Sequence, residues 1–234
     1  MKKSFIIVFL LSLATLFFGC ASLDGLFTSS SPKSQDSDKW EIAALDTARG
    51  LDYLSDLEKD VILEMNKARS NPALYAELYI EPRIKKFSGK VYNGMIETHE
   101  GAAVVNECVA FMKSAKPLPV FSAAKGLSLA AQTHATTQGE TEQTGHTGVD
   151  GSSPFTRIER YGTYRTAGEN IDYGAANARD AVVDLLIDDG VSSRGHRKNI
   201  MNKDFSFTGV GFSKKHKLYG SVCVITFAGG YAEK

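Results

Sequence analysis

The sequence feature that most constrains the fold is an almost continuously apolar run near the C-terminus. Residues 220–227 read Gly-Ser-Val-Cys-Val-Ile-Thr-Phe, whereas a strand with one face in water alternates apolar and polar side chains. The run therefore predicts a central β-strand that is covered on both faces. Residues 208–212 predict a second strand, and the charged segment 213–217 predicts the turn between them. His216 lies among lysines in that turn, so we expect its side chain to be solvated.

The earlier part of the domain shows the periodicity of helices instead. Ser55 and Glu58 form a capping box, in which two side chains satisfy the first free amides of a helix. Asn71-Pro72 ends this helix and begins another, because proline suits the first helical position, and we expect Pro82 to end the second. The other predicted elements are a loop at 89–97, helices at about 98–114, from Ser122 onward and at 178–189, and a strand at 165–173. A helix-rich first half with a β-rich end is typical of an α+β fold.

The N-terminus carries the pattern of an export signal. Two lysines precede an uncharged run at 5–18. The run is too short to cross a bilayer, but it suits the apolar core of a signal peptide. We therefore predict a signal peptide at 1–19 and an exported protein.

A lipid anchor is predicted directly after this segment. Gly19-Cys20 resembles a bacterial lipobox, although Phe17 stands where leucine is usual. A lipid on Cys20 would hold the protein in the cell envelope, at the outer membrane or the cell surface, whereas the alternative is an ordinary secretory signal with a chance cysteine. The chain that follows has too little apolar surface to order itself. We therefore predict a flexible tether at 20–50 and one folded domain at 51–234.

Composition limits the partners and the redox chemistry. Lysine plus arginine and aspartate plus glutamate both number 27, and the pI is about 7.0. Nothing therefore indicates nucleic acid as a partner, and we expect a monomer. Cys108 and Cys223 lie in apolar patterns and are expected to be buried thiols. Export would permit a disulfide between them, but two cysteines do not make a disulfide framework.

Four polar side chains between residues 145 and 199 form the candidate site. His146, Glu169 and His196 each follow a glycine, and Asp188 lies at the end of a predicted helix. Two imidazoles and two carboxylates are the types and number of ligands that could surround one divalent cation. We therefore predict that these four residues bind a metal ion, and zinc is the expected one.

Asp188 and Asp189 supply a physical argument for a nearby cation. Both lie in the last turn of the predicted helix, where the helix dipole disfavours an anion by about 0.3–1 kcal/mol. Asp188 also continues the buried face of that helix. We expect compensation by the bound metal or by one of Arg194, Arg197 and Lys198. An arginine salt bridge is the simpler alternative, above all for Asp189.

Four further residues are expected to support the site from behind the ligands. His134 lies on the apolar face of a predicted helix, where a histidine is more often a core or supporting residue than a ligand. Asn170, Asp189 and Arg194 are assigned the same supporting role.

Five short segments occur in an order that is similar to a known family. They are Glu-Met-Asn-Lys-Ala-Arg at 64–69, Ala-Gln-Thr-His-Ala at 131–135, Gly-His-Thr at 145–147, Gly-Glu-Asn at 168–170 and Gly-His-Arg-Lys-Asn-Ile at 195–200. This order resembles the bacterial branch of the CAP superfamily, which covers cysteine-rich secretory, antigen 5 and pathogenesis-related proteins and their SCP-like domains. The match runs from about residue 55 to residue 229.

The resemblance implies a three-layer α-β-α sandwich with a small central antiparallel sheet and a cleft that holds two histidines and two acids. By motif, His146 and His196 match the histidines and Glu169 matches one acid. Asp188 falls where many members carry a glutamate, and Leu185 stands where they carry a tryptophan. The shorter aspartate leaves the fourth ligand position open.

Three functions from different classes are compatible with this sequence. The first is a membrane-displayed binding protein, whose cleft holds a divalent cation and whose surface binds a lipid, glycan or protein partner. The second is a metal-assisted hydrolase of peptides or esters, with a metal-bound water as nucleophile and Glu169 as general base. A serine nucleophile is disfavoured because the chain has no Gly-x-Ser-x-Gly elbow. The third is a scaffold in which the polar cluster only holds helix and sheet together.

Overall fold

The structure is a computed structural model that describes residues 37–234. The helices are α1 (Ile42–Leu45), α2 (Asp56–Ser70), α3 (Pro72–Tyr75), α4 (Glu81–Ile84), α5 (Ala102–Ser114), α6 (Lys125–Glu140), α7 (Pro154–Glu159), α8 (Ala178–Ile187) and α9 (Gly195–Ile200). The strands are β1 (Phe87–Ser88), β2 (Val91–Tyr92), β3 (Ile96–Glu97), β4 (Ser122–Ala123), β5 (Gly162–Thr163), β6 (Thr166–Tyr173), β7 (Phe207–Ser213), β8 (Val222–Gly229) and β9 (Ala232–Glu233). The capping box at Ser55 and Glu58 opens α2 as predicted.

The main sheet has four strands in the order β4-β7-β8-β6. β8 pairs antiparallel with both β7 and β6, and β4 adds a short parallel pair to β7. Every residue of β8 is buried, which confirms the central strand predicted from its apolar run. β6 is an edge strand of this sheet, and the candidate site is built on it.

Helices cover both faces of the sheet. The side chains of Cys223, Ile225 and Phe227 join the large hydrophobic cluster formed with α2, α5 and α8. Their neighbours in β8 point the other way, because side chains alternate along a strand, and Val222 and Val224 pack against α6. The predicted three-layer α-β-α sandwich with an α+β fold is therefore confirmed.

Helix α6 lies backbone to backbone against β7. A Cβ atom added to Gly209 would overlap the backbone of Leu127 and Ser128, and one added to Gly211 would overlap the backbone of Gln132. Only glycine allows an approach this close. The two glycines therefore set the distance between the sheet and its outer helix.

We expect Gly209→Ala to lower the free energy of unfolding by about 1–3 kcal/mol, because the added methyl group must push α6 off the sheet. Urea unfolding followed by circular dichroism measures this change. Gly50→Ala is the matched control, because a Cβ at Gly50 meets nothing within 4 Å. Equal unfolding midpoints for the two variants would contradict the tight packing.

The folded domain begins earlier than the predicted boundary at residue 51. Trp40 is buried, its indole N–H donates to the Tyr79 hydroxyl at 3.0 Å, and its ring meets that of Tyr75 edge to face. Leu45 and Ala48 are buried in the same cluster. The flexible tether predicted for 20–50 is therefore wrong for residues 40–48. Trp40, Leu45 and Ala48 bury their side chains in the core, which offsets the entropy of ordering this stretch. The predicted signal peptide and Cys20 lie outside the described residues.

Two local predictions are also corrected. Pro82 does not end the second helical segment, because a π-helical stretch, Ala76–Ile80, precedes it and places it at the start of α4, where its missing N–H is not needed. The predicted loop at 89–97 belongs to a small three-stranded meander, β1-β2-β3. Asn93-Gly94 forms its second turn with positive φ at both residues, which is a strong hairpin signal.

Candidate functional site

Two successive residues of the edge strand β6 organise the candidate site. Glu169 is paired with Thr226 and Asn170 with Ile225, so the two side chains point to opposite faces of the sheet. Thr226 contacts α6, whereas Ile225 belongs to the large cluster on the other face. The strand therefore presents one polar side chain to each outer layer at the same place along its length.

Glu169 orients His146 from the α6 side. Nδ1 of His146 lies 2.9 Å from Oε1 of Glu169. Because a carboxylate can only accept, Nδ1 is the donor in this hydrogen bond. The His146 side chain is 49% exposed, whereas the Glu169 side chain is 1% exposed. The imidazole therefore faces solvent, Nε2 has no hydrogen bond within residues 37–234, and the acid lies behind the ring.

Arg157 pairs with Glu169, and the sequence interpretation did not identify it. Its Nη2 donates to both carboxylate oxygens, at 2.8 and 3.0 Å, and to the carbonyl oxygen of His146 at 3.1 Å. This ion pair is almost completely buried. Glu169 is therefore neutralised and enclosed, which fits neither the predicted direct metal ligand nor the predicted general base. Nothing in the spacing around Arg157 signals this role, since it lies on a short helix beside apolar residues.

Three side chains hold the backbone next to His146. The N–H of Gly145 donates to the Tyr173 hydroxyl at 2.7 Å, and its carbonyl oxygen accepts from Gln138 at 2.6 Å and from Nε2 of His134 at 2.9 Å. Burial lowers the pKa of His134, so the neutral ring is favoured. His134 thus lies where a supporting residue was predicted, while Gln138 and Tyr173 were not identified from the sequence.

His196 is held from the other side of the strand by Asp188. Oδ1 of Asp188 lies 2.7 Å from Nδ1 of His196, and Oδ2 accepts from the backbone N–H groups of His196 and Arg197 at 2.9 and 3.3 Å. Asn170 donates to the His196 carbonyl oxygen at 3.0 Å. His196 is 23% exposed and Asp188 is fully enclosed. This second pair repeats the first: the acid lies behind the ring, and Nε2 has no hydrogen bond from the described residues.

The structure corrects the reasoning about Asp188. The helix ends at Ile187, and Asp188 adopts a left-handed conformation with φ of 60°. The carboxylate consequently turns away from the negative end of α8 and reaches the start of α9. Backbone amides and the His196 ring compensate its charge, in place of the side chains of Arg194, Arg197 or Lys198.

Asp189 and Arg194 lie beside the site rather than behind its histidines. Asp189 accepts from the backbone N–H groups of His99 and Glu100 at 2.7 and 2.8 Å. These amides take the place of the arginine salt bridge that was the simpler alternative for this residue. Arg194 pairs with Glu100 and Glu107. The two residues tie the segment between α8 and α9 to the beginning of α5.

His216 is buried, contrary to the predicted solvated side chain. Its Nδ1 accepts from the N–H groups of Leu218 and Tyr219, and its Nε2 lies 3.2 Å from the carbonyl oxygen of Gln143. Its ring also contacts that of Tyr173. The turn folds back over the loop that carries His146, which the local run of lysines does not reveal.

The two described cysteines are free, buried thiols, as predicted. Burial raises the pKa of Cys108 to about 11 and also raises that of Cys223. Sγ of Cys108 lies 3.1 Å from the carbonyl oxygen of Leu186. Both residues therefore contribute to packing.

The candidate site offers fewer metal ligands than the four that were predicted. Within residues 37–234, no three His, Cys, Asp or Glu side chains are arranged to hold a metal together. Both acids are hydrogen-bonded to Nδ1 atoms, so the ligands on offer are the Nε2 atoms of His146 and His196. Carboxylates that orient metal-binding histidines in this way are common behind zinc ligands, and water would have to complete the coordination.

None of the helices in the described part of the chain has the length and hydropathy of a membrane span.

Comparison with known proteins shows which family this chain matches. The family model described as CAP, the cysteine-rich secretory protein family, matches residues 64–227. YkwD of Bacillus subtilis (strain 168), whose description is "uncharacterized protein", is 37% identical over 68 residues, which are 29% of this chain and 24% of that protein. The chain thus matches about a quarter of the length of this curated relative.

Two solved structures that this chain is similar to come from bacteria. An extracellular protein containing a SCP domain from Bacillus anthracis has a TM-score of 0.39 and 23% identity, over 48% of this chain and 34% of that chain. An outer surface protein from Borrelia burgdorferi has a TM-score of 0.41 and 22% identity, over 48% of this chain and 80% of that chain.

Proposed function

Because this chain belongs to the CAP, or cysteine-rich secretory protein, family, we propose that it is an exported binding protein whose cleft holds a divalent metal ion. His146 and His196 would supply the ligands. Glu169 and Asp188 would hold the two imidazoles from behind. The metal would give the cleft a positive centre for the polar part of a bound lipid, glycan or protein partner.

One observation carries this proposal. Two histidines that are 50 positions apart in the chain each present a partly exposed ring whose Nδ1 is held by an enclosed carboxylate. Such a pair fixes the tautomer and raises the basicity of the outward nitrogen, which is what a borderline cation such as zinc requires. A purely structural role would need neither exposed ring.

Export and anchoring remain part of the same proposal. The apolar run at 5–18 followed by Gly19-Cys20 supports a signal peptide and a lipid on Cys20. A lipidated protein would display the domain on a membrane of the cell envelope. Radiolabelled palmitate that enters the wild type but not Cys20→Ser would support the anchor, and equal labelling would overturn it.

A hydrolase that uses Glu169 as general base is less well supported. Its carboxylate accepts two hydrogen bonds from Arg157 and one from His146. A base must reach the proton that it removes, and this one is enclosed behind an ion pair. The site is therefore better suited to binding than to proton transfer through Glu169.

We expect the protein, once freed of metal by a chelator, to bind added zinc with no other ligand present. His146→Ala or His196→Ala should weaken zinc binding at least about tenfold, because each substitution removes a ligand. Glu169→Gln and Asp188→Asn should weaken it about 10–100-fold by releasing the rings. Isothermal titration calorimetry measures all five proteins.

The matched control is His99→Ala, which removes an exposed imidazole from outside the pair. His99 contacts Asp189 only through its backbone N–H, so zinc affinity should not change. Zinc binding that is absent, or equally strong in the wild type and both histidine variants, would refute the metal site and leave the scaffold as the explanation of the polar cluster.

A further inference from the structure

Two surface segments of the domain expose apolar side chains. The meander segment, residues 85–98, contains β1, β2 and β3, and the turn segment, residues 213–220, joins β7 to β8. Their exposed large apolar side chains, each more than half exposed, are Met95, Ile96, Leu218 and Tyr219. These four make up most of the large apolar side chains that are exposed in the described residues. The folded core does not account for them, because they contribute little buried surface.

Both segments border one cavity. It has a volume of about 810 Å³, and its lining includes Ile96 of the meander segment and Tyr219 of the turn segment. Because these two side chains are exposed as well, they lie at the mouth of the cavity. The Tyr219 ring also contacts that of Tyr173, at the end of β6. The two segments therefore surround the same opening, on one face of the domain.

This face carries positive charge, although the formal net charge of the chain is zero. Each segment has three exposed lysines, which are Lys85, Lys86 and Lys90 in the meander segment and Lys214, Lys215 and Lys217 in the turn segment. Glu97 is the one acidic residue in the two sequences. Within residues 37–234 the lysines that form ion pairs are Lys59, Lys67 and Lys113. The six lysines around the cavity mouth are therefore available to a partner.

The carboxylates inside the cavity offset this charge only in part. They are Asp172, Asp180, Asp184, Asp188 and Asp189. Four of them have partners, which are the Arg83 guanidinium, the His196 ring or backbone N–H groups. Burial raises the pKa of Asp172 to about 8, so its carboxyl group is mostly protonated at pH 7. The exposed rim is thus more positive than the interior is negative.

We propose that this face binds the surface of an anionic lipid bilayer, with Met95, Ile96, Leu218 and Tyr219 among the headgroups and the six lysines against the lipid phosphates. Apolar side chains beside lysines are typical of proteins that lie on membranes, and anionic lipid attracts clustered lysines. Neither segment contains arginine, the residue that suits bidentate recognition of a single partner group, whereas lysine acts as a point charge. The inference depends neither on the zinc site nor on a lipid at Cys20.

The test places a tryptophan in each segment of the full chain. Met95→Trp and Leu218→Trp add an exposed indole to a protein whose one tryptophan, Trp40, is buried. Vesicles with brominated acyl chains quench indoles that reach the lipid. Phosphatidylglycerol vesicles should reduce the added emission by about half or more, and phosphatidylcholine vesicles by less than about a tenth. An apolar N-terminus or a lipid anchor attaches the chain to both kinds of vesicle, so the difference between them reports the two segments.

Phe155→Trp is the matched control for position. Phe155 is exposed, and its ring lies near that of Tyr164, just before the start of β6. The cavity mouth adjoins the other end of this strand, at Tyr173. The indole of Phe155→Trp should therefore stay unquenched in both kinds of vesicle.

A charge variant tests the lysines. Replacing Lys214, Lys215 and Lys217 together with glutamine in the Leu218→Trp protein should raise the phosphatidylglycerol concentration for half-maximal quenching at least about tenfold. The matched control replaces three exposed lysines that do not line the cavity, Lys116, Lys125 and Lys203. It changes the net charge equally and should shift that concentration less than about twofold. Circular dichroism should show an unchanged fold in both variants.

Three results would overturn the inference. Unquenched indoles at both Met95 and Leu218 in phosphatidylglycerol vesicles would leave an acidic protein as the partner of the lysines. Equal quenching in Phe155→Trp would show that no particular face meets the lipid. Equal shifts in the two triple lysine variants would show that only the net charge of the protein matters.

Discussion

Arg157→Met is expected to destabilise the protein by about 3–5 kcal/mol, the usual cost of leaving one partner of a buried ion pair alone. Arg157 and Glu169 are 2% and 1% exposed, so water cannot replace the lost guanidinium. The variant also removes the hydrogen bond from Arg157 to the His146 carbonyl oxygen. Urea unfolding followed by circular dichroism should show the loss directly, and zinc affinity should fall with it.

Arg160→Met is the matched control for this prediction. Arg160 follows the same short helix but pairs with Asp150 at the surface, where water and salt screen the interaction, so little change is expected. The double variant Arg157→Met/Glu169→Gln should recover part of the lost stability, because it removes the uncompensated charge. A single variant as stable as the wild type would show that the pair is open to solvent.

Arg69→Met is expected to cost at least about 3 kcal/mol, because it leaves several buried carbonyl groups without donors. The Arg69 guanidinium is a hub for distant backbone segments rather than for a carboxylate. It donates to the carbonyl oxygens of Pro119, Ile200, Asn202 and Phe205 at 2.8–3.1 Å. It also lies over the Phe121 ring, 3.9 Å from the centroid.

The same substitution at Arg49 provides the comparison. Arg49 pairs with Asp46 and Asp60 on the surface, and such pairs are worth at most about 1 kcal/mol. Arg69→Met should also lower zinc affinity, because three of its four acceptors lie at or just after the end of α9, which carries His196. Equal unfolding midpoints for the Arg69 and Arg49 variants would contradict this role.

Local patterns were sufficient to predict most of the fold. The apolar run of β8 indicates a central strand without reference to any partner, and the capping box at Ser55 and Glu58 marks the start of α2. The Gly-His and Gly-Glu-Asn motifs identified His146, Glu169 and His196. Each of these patterns lies within a few consecutive residues, so it can be identified from the sequence alone.

The features that were missed depend on contacts between distant segments. The ion pair of Arg157 with Glu169 joins α7 to β6, and the residues next to either one in the sequence do not indicate its partner. Asp188 was assigned to a continuing helix, but its left-handed conformation turns the carboxylate toward α9. His216 was assigned to solvent because its neighbours are charged, yet the turn folds over the loop at Gln143. Each error concerns direction in space rather than residue type.

The succession of Glu169 and Asn170 on one edge strand has a consequence for how this protein can vary. Glu169 contacts His146 and Asn170 contacts His196, and these two strand residues are adjacent. The relative position of the two histidines is therefore set by one short piece of strand and depends little on the length of the chain between them. Loops on either side of α7 could lengthen while both rings stay in place. A one-residue slip of the strand, by contrast, would exchange its two faces and break the contact of Glu169 with the His146 ring together with the hydrogen bond of Asn170 to the His196 backbone.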